Sequence, residues 1–172
     1  IAAHRAVPPA IDRVLIWNRS PARARELVEA GLADEPVTDL DAALARADIV
    51  CTATGSRDPL IHGRFLRPGT HLDCVGTFLP DHREVDDEVV RRARIVVDSR
   101  PSTVAGSGDL VIPLRAGVIG EDAILGDLYQ LVQRHEFDGL ALVSRDTGDP
   151  GRFMNAPWVG GRVALEQAPG DH

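Results

Sequence analysis

The chain has 172 residues, 44% of them hydrophobic and 26% charged, which at ~150 residues per domain is enough for about one domain with a sizeable core. Nineteen basic against twenty-six acidic side chains leave a net charge of −7, which argues against non-specific binding to nucleic acid or an anionic membrane and points to a small-molecule partner. All nineteen basic residues are arginine, so Schiff-base, P-loop or general-base lysine chemistry is excluded within the chain. No apolar run approaches the ~18 residues of a membrane span. The opening Ile1-Ala2-Ala3-His4-Arg5 has neither an initiator Met nor a signal-like stretch, and reads as an internal start.

Arg13-Val14-Leu15-Ile16-Trp17 has the length and apolarity of a buried strand, followed by the turn Asn18-Arg19-Ser20. Ser20 as N-cap and Pro21 in the first turn open a helix through Ala24, Leu27 and Val28 that stops at Gly31. A second capped helix is predicted over Thr38 to Leu44. The next strand runs from Asp48 to Ala53 and ends in the turn Thr54-Gly55-Ser56. After the Pro68-Gly69 turn, Thr70 to Val75 reads as a strand, Asp86 to Arg92 as a helix and Arg94 to Asp98 as a strand. Apolar strands alternating with helices imply a parallel sheet covered on both faces. Beyond Asp98 the pattern predicts a short helix and glycine-rich turn over Pro101 to Asp109. A helix over Glu121 to Gln133 would carry Ile124, Leu125, Leu128 and Leu131 on one face, and a strand is expected near Leu140 to Val143. Residues 144–172 are unassigned. Cys51 and Cys74 each close an apolar run without metal or redox spacing, and read as buried, reduced thiols in a cytoplasmic protein.

In doubly wound sheets ligands sit beyond the carboxyl ends of the strands. Those ends here are Asn18-Arg19-Ser20, Thr54-Gly55-Ser56 and Gly76-Thr77-Phe78. An Arg closing the second strand of a dinucleotide fold pairs with a 2′-phosphate, where an acidic residue would bind the ribose. Asn18-Arg19-Ser20 is thus either a phosphate site selecting NADP(H) or a solvated turn with a helix cap. Thr54-Gly55-Ser56 carries the same two readings. Asp81-His82-Arg83-Glu84 and Asp86-Asp87-Glu88 read as a solvated charge run with a helix N-terminus rather than as a metal or acid–base cluster.

Five segments in register carry a resemblance. They are Arg13 to Ser20, Ala47 to Thr54, Pro68 to Gly76, Pro80-Asp81 with Arg83-Glu84-Val85-Asp86, and Val97-Asp98-Ser99. In order and spacing they resemble the ornithine cyclodeaminase/mu-crystallin family over about residues 1–134, and the Trp-Asn-Arg-Ser turn is most similar to the mu-crystallin branch. The resemblance implies a Rossmann-type doubly wound parallel sheet, incomplete because the first strand and its Gly-rich loop are absent, with residues 1–143 as the partial dinucleotide-binding domain. It implies NADP(H) as cofactor, with NAD as the alternative. Asn18, Arg19, Ser20 and Arg23 would bind the 2′-phosphate, Thr54, Gly55 and Ser56 would line the adenosine side, and Val75 and Thr77 the nicotinamide side.

The same resemblance implies reduction of a small cyclic or α-imino acid, and a homodimer when the protein is full length. The cyclodeaminase branch carries a catalytic Asp where this chain has Phe78, which cannot exchange a proton, so a reductase or dehydrogenase is favoured over an NAD-dependent ammonia lyase. A non-catalytic NADP-binding module is the further alternative. Phe153-Met154-Asn155 is the nearest counterpart of a C-terminal family motif. Substrate-binding acid–base groups are expected outside these 172 residues, and the chain alone is expected to be inactive.

Overall fold

The computed structural model describes residues 11–75 and 79–130, together with the backbone strands at 141–144, 158–159 and 162–163. The chain order is β1 (Leu15–Trp17), α1 (Pro21–Glu29), β2 (Glu35–Val37), α2 (Leu40–Leu44), β3 (Ile49–Thr52), β4 (His71–Cys74), α3 (Asp87–Arg92), β5 (Arg94–Val97), α4 (Arg100–Gly106), α5 (Gly108–Arg115), β6 (Ile124–Asp127), β7 (Ala141–Ser144), β8 (Trp158–Val159) and β9 (Arg162–Val163). Strands β1 and β2 pair in parallel, with Leu15 opposite Glu35. A five-stranded parallel sheet has the order β3-β4-β7-β5-β6, and β8-β9 is a small antiparallel pair.

This is a Rossmann-type doubly wound α/β arrangement. In the strand order 3-2-1-4-5-6 of such sheets, β2 and β1 take the first two places and β3 and β4 the fourth and fifth. Between β1 and β3 no described strand takes the remaining place. That explains a difference from expectation: β1 and β3 are only half-buried, whereas Leu72 on β4 and Ile95 and Val97 on β5 are fully buried. The core is built by those residues with Leu110, Val85, Val89, Val90 and Ile124, all closed from solvent.

Local chemistry sets the helix starts. Pro21 occupies the first turn of α1 after an extended Ser20, and Gly31 follows the helix at φ +71°. Asp39 caps α2 by accepting from Ala42 N at 2.9 Å, and Asp86 caps α3 by accepting from Val89 N at 3.0 Å.

Four expectations are corrected. Residues 124–127 form strand β6, not helix, because pairing with β5 buries Ile124 and Gly126 while Leu125 faces out. The apolar spacing there suits a period of two as well as one of 3.6, and the helix starts only at residue 128. The glycine-rich turn near Asp109 is the start of helix α5, which carries Pro113 inside it. Strand β2 was not expected, since it contains Pro36; the proline is tolerated at an exposed position of a short edge strand. Cys51 is exposed, while Cys74 is buried, its thiol pushed well above its usual pKa by burial.

The start of α5 lies hard against the 79–82 segment. A Cβ on Gly108 would fall 1.9 Å from the His82 carbonyl oxygen and 2.9 Å from that of Leu79. Gly108→Ala is therefore expected to lower stability by about 1–3 kcal/mol, the usual range for overpacking, as read by urea denaturation. An unchanged midpoint would contradict so close an approach.

Candidate functional site

The carboxyl end of β1 runs through Asn18-Arg19-Ser20 into α1. Asn18 Oδ1 accepts from Ser20 N at 2.9 Å, which folds the turn back on itself. The Ser20 side chain makes no capping bond, so its hydroxyl stays available at the helix N-terminus. Arg19 is exposed and has no ion-pair partner among the described residues. Arg23 instead pairs with Glu26 at 2.8 Å, and both are exposed, so this bond is weak and readily exchanged.

The carboxyl end of β3 is held in a different way. Thr54 is exposed at the surface, yet its N–H and hydroxyl both donate to Oε1 of Glu84, the hydroxyl at 2.7 Å. Thr52 Oγ1 donates to Oε2 of the same residue at 2.7 Å. Gly55 follows at φ +59°, the left-handed region that glycine enters at no steric cost. Ser56 is buried and its hydroxyl donates to Asp58 O at 2.8 Å, so it builds the loop from within and is not presented outward. Val75, after β4, donates its N–H to Thr52 O at 2.9 Å, which joins the ends of β3 and β4. Thr77 and Phe78 lie outside the described residues, as does Phe153-Met154-Asn155.

Glu84 and Arg83 depart from the expected solvated charge run, at 0% and 8% exposure. The Glu84 carbonyl accepts from both Leu60 N and Ile61 N at 2.9 Å. The Glu84 and Val85 N–H groups donate to Asp109 Oδ1 at 2.6 and 3.1 Å. Asp109 is fully buried, and its Oδ2 has no hydrogen-bond partner among the described residues. Burial, opposed by those two N–H donors, pushes its pKa up to about 6, with the Glu84 charge adding to the rise and Arg83 working against it. Neither Glu84 nor Asp109 was singled out from the sequence as a functional residue. The signal available was only the Gly108-Asp109 pair at a helix start, which reads equally well as a turn.

An open cleft of about 510 Å³ adjoins these ends. It is lined by Trp17, Thr38, Asp39, Leu40, Asp41, Pro59, Leu60 and His62. Every one of these closes or follows β1, β2 or β3. His62 Nδ1 lies 3.3 Å from Asp86 Oδ2, which orients the ring at the rim. None of the eight described residues among those singled out from the sequence lines the cleft, although Asn18 follows Trp17 directly. Among the described residues no three His, Cys, Asp or Glu side chains gather as a metal site, and no helix is long and apolar enough to cross a membrane.

Residues 1–137 match the ornithine cyclodeaminase/mu-crystallin family. The chain belongs to that family. It is 45% identical over 139 residues to a Delta(1)-pyrroline-2-carboxylate reductase of Paracoccus denitrificans, covering 77% of this chain and 43% of the relative. It is 35% identical over 100 residues to the ketimine reductase mu-crystallin of Mus musculus, covering 58% of this chain and 32% of the relative. The structure resembles that of the Thermococcus litoralis Delta(1)-pyrroline-2-carboxylate reductase in complex with NADH and L-proline, with a TM-score of 0.69 and 31% identity over 76% of this chain and 43% of that one. The chain thus spans under half the length of the family members it matches.

The raised pKa of Asp109 makes a signed prediction. In the unfolded chain the group titrates near 3.8, and in the fold near 6. Its protonation therefore stabilises the fold fully below the lower value, and that stabilisation is lost as pH rises through the upper one. The shift corresponds to on the order of 3 kcal/mol. Asp109→Asn, which keeps an acceptor for the two N–H groups but carries no charge, should gain stability relative to wild type at pH 8 and keep only about half of that advantage at pH 5, between the two pKa values. Denaturant titrations at the two pH values check this; a difference independent of pH would remove Asp109 as the titrating group.

Proposed function

We propose that this chain is the dinucleotide-binding part of an NADP-dependent imine reductase or amino-acid dehydrogenase. Its substrate would be a small cyclic or α-imino acid. The observation that carries the cofactor reading is the β1–α1 turn: an exposed Arg19 with no ion pair among the described residues, a Ser20 hydroxyl that makes no capping bond and a helix N-terminus together at the carboxyl end of a parallel strand. That combination offers a 2′-phosphate both charge and hydrogen-bond donors. Arg23 can join by exchanging its exposed bond to Glu26.

The adjoining cleft suits an adenosine. Trp17, Leu40, Pro59 and Leu60 supply apolar walls, and Asp39 and Asp41 supply acceptors for an exocyclic amine. Thr54-Gly55, at the end of β3, would line the adenosine side, and Val75, at the joined end of β4, the nicotinamide side together with Thr77. When bound, the dinucleotide supplies the hydride that passes to the imine carbon. The residues described here bind and orient, and they offer no acid–base group for the substrate, in keeping with the division of labour in cofactor enzymes. The names of the relatives, a pyrroline-2-carboxylate reductase and a ketimine reductase, support the substrate class.

A second reading, NAD in place of NADP, is favoured by the NADH in the Thermococcus litoralis structure. One variant separates the two. A charge-assisted bond is worth roughly 1.5–3 kcal/mol, so Arg19→Ala in the full-length gene product should weaken NADPH binding about 10- to 100-fold and leave NADH binding within about twofold. Equal effects on both nucleotides would favour NAD. Ammonia release from ornithine, in place of NADPH oxidation with a cyclic imino acid, would overturn the reductase reading.

A further inference from the structure

The loop that leaves β3 is clamped at both ends by one residue that is itself sealed from solvent. At its entry, the Glu84 carboxylate takes the Thr52 hydroxyl, the Thr54 hydroxyl and the Thr54 N–H. At its exit, the Glu84 carbonyl takes the N–H groups of Leu60 and Ile61. Between the clamps the loop is closed by Ser56 N to Thr54 Oγ1 at 3.2 Å and by Ser56 Oγ to Asp58 O at 2.8 Å. Glu84 is fixed in turn from behind, since its own N–H and that of Val85 are held by Asp109.

We infer that Glu84 is a positioning residue for the dinucleotide: by gripping Thr52 and Thr54 from inside, it sets the strand-end loop in its binding conformation without touching the ligand. The inference deepens the reading given above and rests on it. Three donors of the described residues, the Thr52 hydroxyl and the Thr54 hydroxyl and N–H, face the carboxylate, and a carboxylate is an acceptor-only group that satisfies all of them at once. An apolar side chain would fill the same space but strip these three donors of their acceptor, so packing alone gives no reason for an acid here. What the acid adds is direction. It commits the donor proton of the Thr54 hydroxyl inward, so this side chain faces a ligand as an acceptor, and it holds the residue before Gly55 in one geometry. A loop ordered in advance loses less freedom on binding.

The test measures dinucleotide affinity by fluorescence titration in the full-length gene product, for wild type, Glu84→Ala and Glu84→Gln. Amide hydrogen exchange of residues 54–61 is followed alongside. Misplacement of a binding group by about 1 Å can cost on the order of 100-fold, so Glu84→Ala should raise the dissociation constants of NADH and NADPH together by roughly 10- to 100-fold. The imine KM at saturating dinucleotide should stay within about twofold, and exchange should quicken at 54–61 but not along β5. Glu84→Gln retains one acceptor oxygen and should recover part of the affinity; should the alanine variant fail to fold, the glutamine variant decides, with at least about a threefold loss expected for both nucleotides. Arg19→Ala, by contrast, should discriminate between the nucleotides. Folded Glu84 variants that bind both within about twofold of wild type overturn the positioning role and leave the cofactor reading standing. A wild-type protein that binds neither nucleotide overturns the cofactor reading, and the inference with it.

Discussion

The buried carboxylate of Glu84 is the constraint on which the strand-end region depends. It ties β3 to the segment before α3 through three hydrogen bonds from Thr52 and Thr54, and its backbone ties that segment to residues 60 and 61. Hydrogen bonds to a charged acceptor contribute roughly 1.5–3 kcal/mol each, while burying an ion costs several kcal/mol, so the arrangement stands only because every facing donor is used. Asp109 completes it by taking the two N–H groups that the turn would otherwise leave buried without partners. Its position in turn requires Gly108, since no side chain fits beside the His82 carbonyl. Arg83, with Nε on Val85 O and Nη1 on Asp87 at 2.7 Å each, brings a positive charge to the same neighbourhood.

Parallel pairing then decides where chemistry is possible. Within each of the two parallel sheets the strands run one way, and the cleft gathers Trp17 at the end of β1 with residues that follow β2 and β3. The turns after β1, β3 and β4 hold Arg19, Thr54 and Val75, residues that look unrelated along the chain. The crossover helices α1 and α2 return the chain to start each new strand, and the cleft lies among the segments they leave free. An exposed arginine in a tight turn is ordinary on a protein surface. At the carboxyl end of a parallel strand, directly before a helix N-terminus, it stands where doubly wound folds offer anions charge and backbone donors.

Much of the fold was legible because its signals are local. Ser20-Pro21, Asp39 and Asp86 sit where the helices begin, and Gly31 and Gly69 where the chain turns with positive φ. The runs around Leu15, Ile49, Leu72 and Ile95 are strands. Elements that failed this reading owe their form to partners distant in sequence. Strand β6 exists because β5 offers it an edge, β2 because β1 does, and α5 is a helix despite Pro113 because its Leu110 and Val111 close the core. Cys51 and Cys74 look alike in sequence, yet one is exposed and the other buried, since β3 ends its sheet and β4 lies inside it.

By itself the sequence determined the fold class, where the helices begin, the absence of lysine chemistry and the arginine turn after β1. Each follows from residue type, or from spacing within a few positions, and needs no knowledge of what packs against what. Only the tertiary structure decided that Glu84 and Asp109 work from inside the protein, that Ser56 is spent on its own loop and that the donor proton of the Thr54 hydroxyl is committed to Glu84. Glu84 lies 30 positions from Thr54, and Asp109 another 25 beyond it. Hydrogen bonds across such separations leave no periodic trace in a sequence, because they are made by the sheet that brings the segments together and not by the segments themselves.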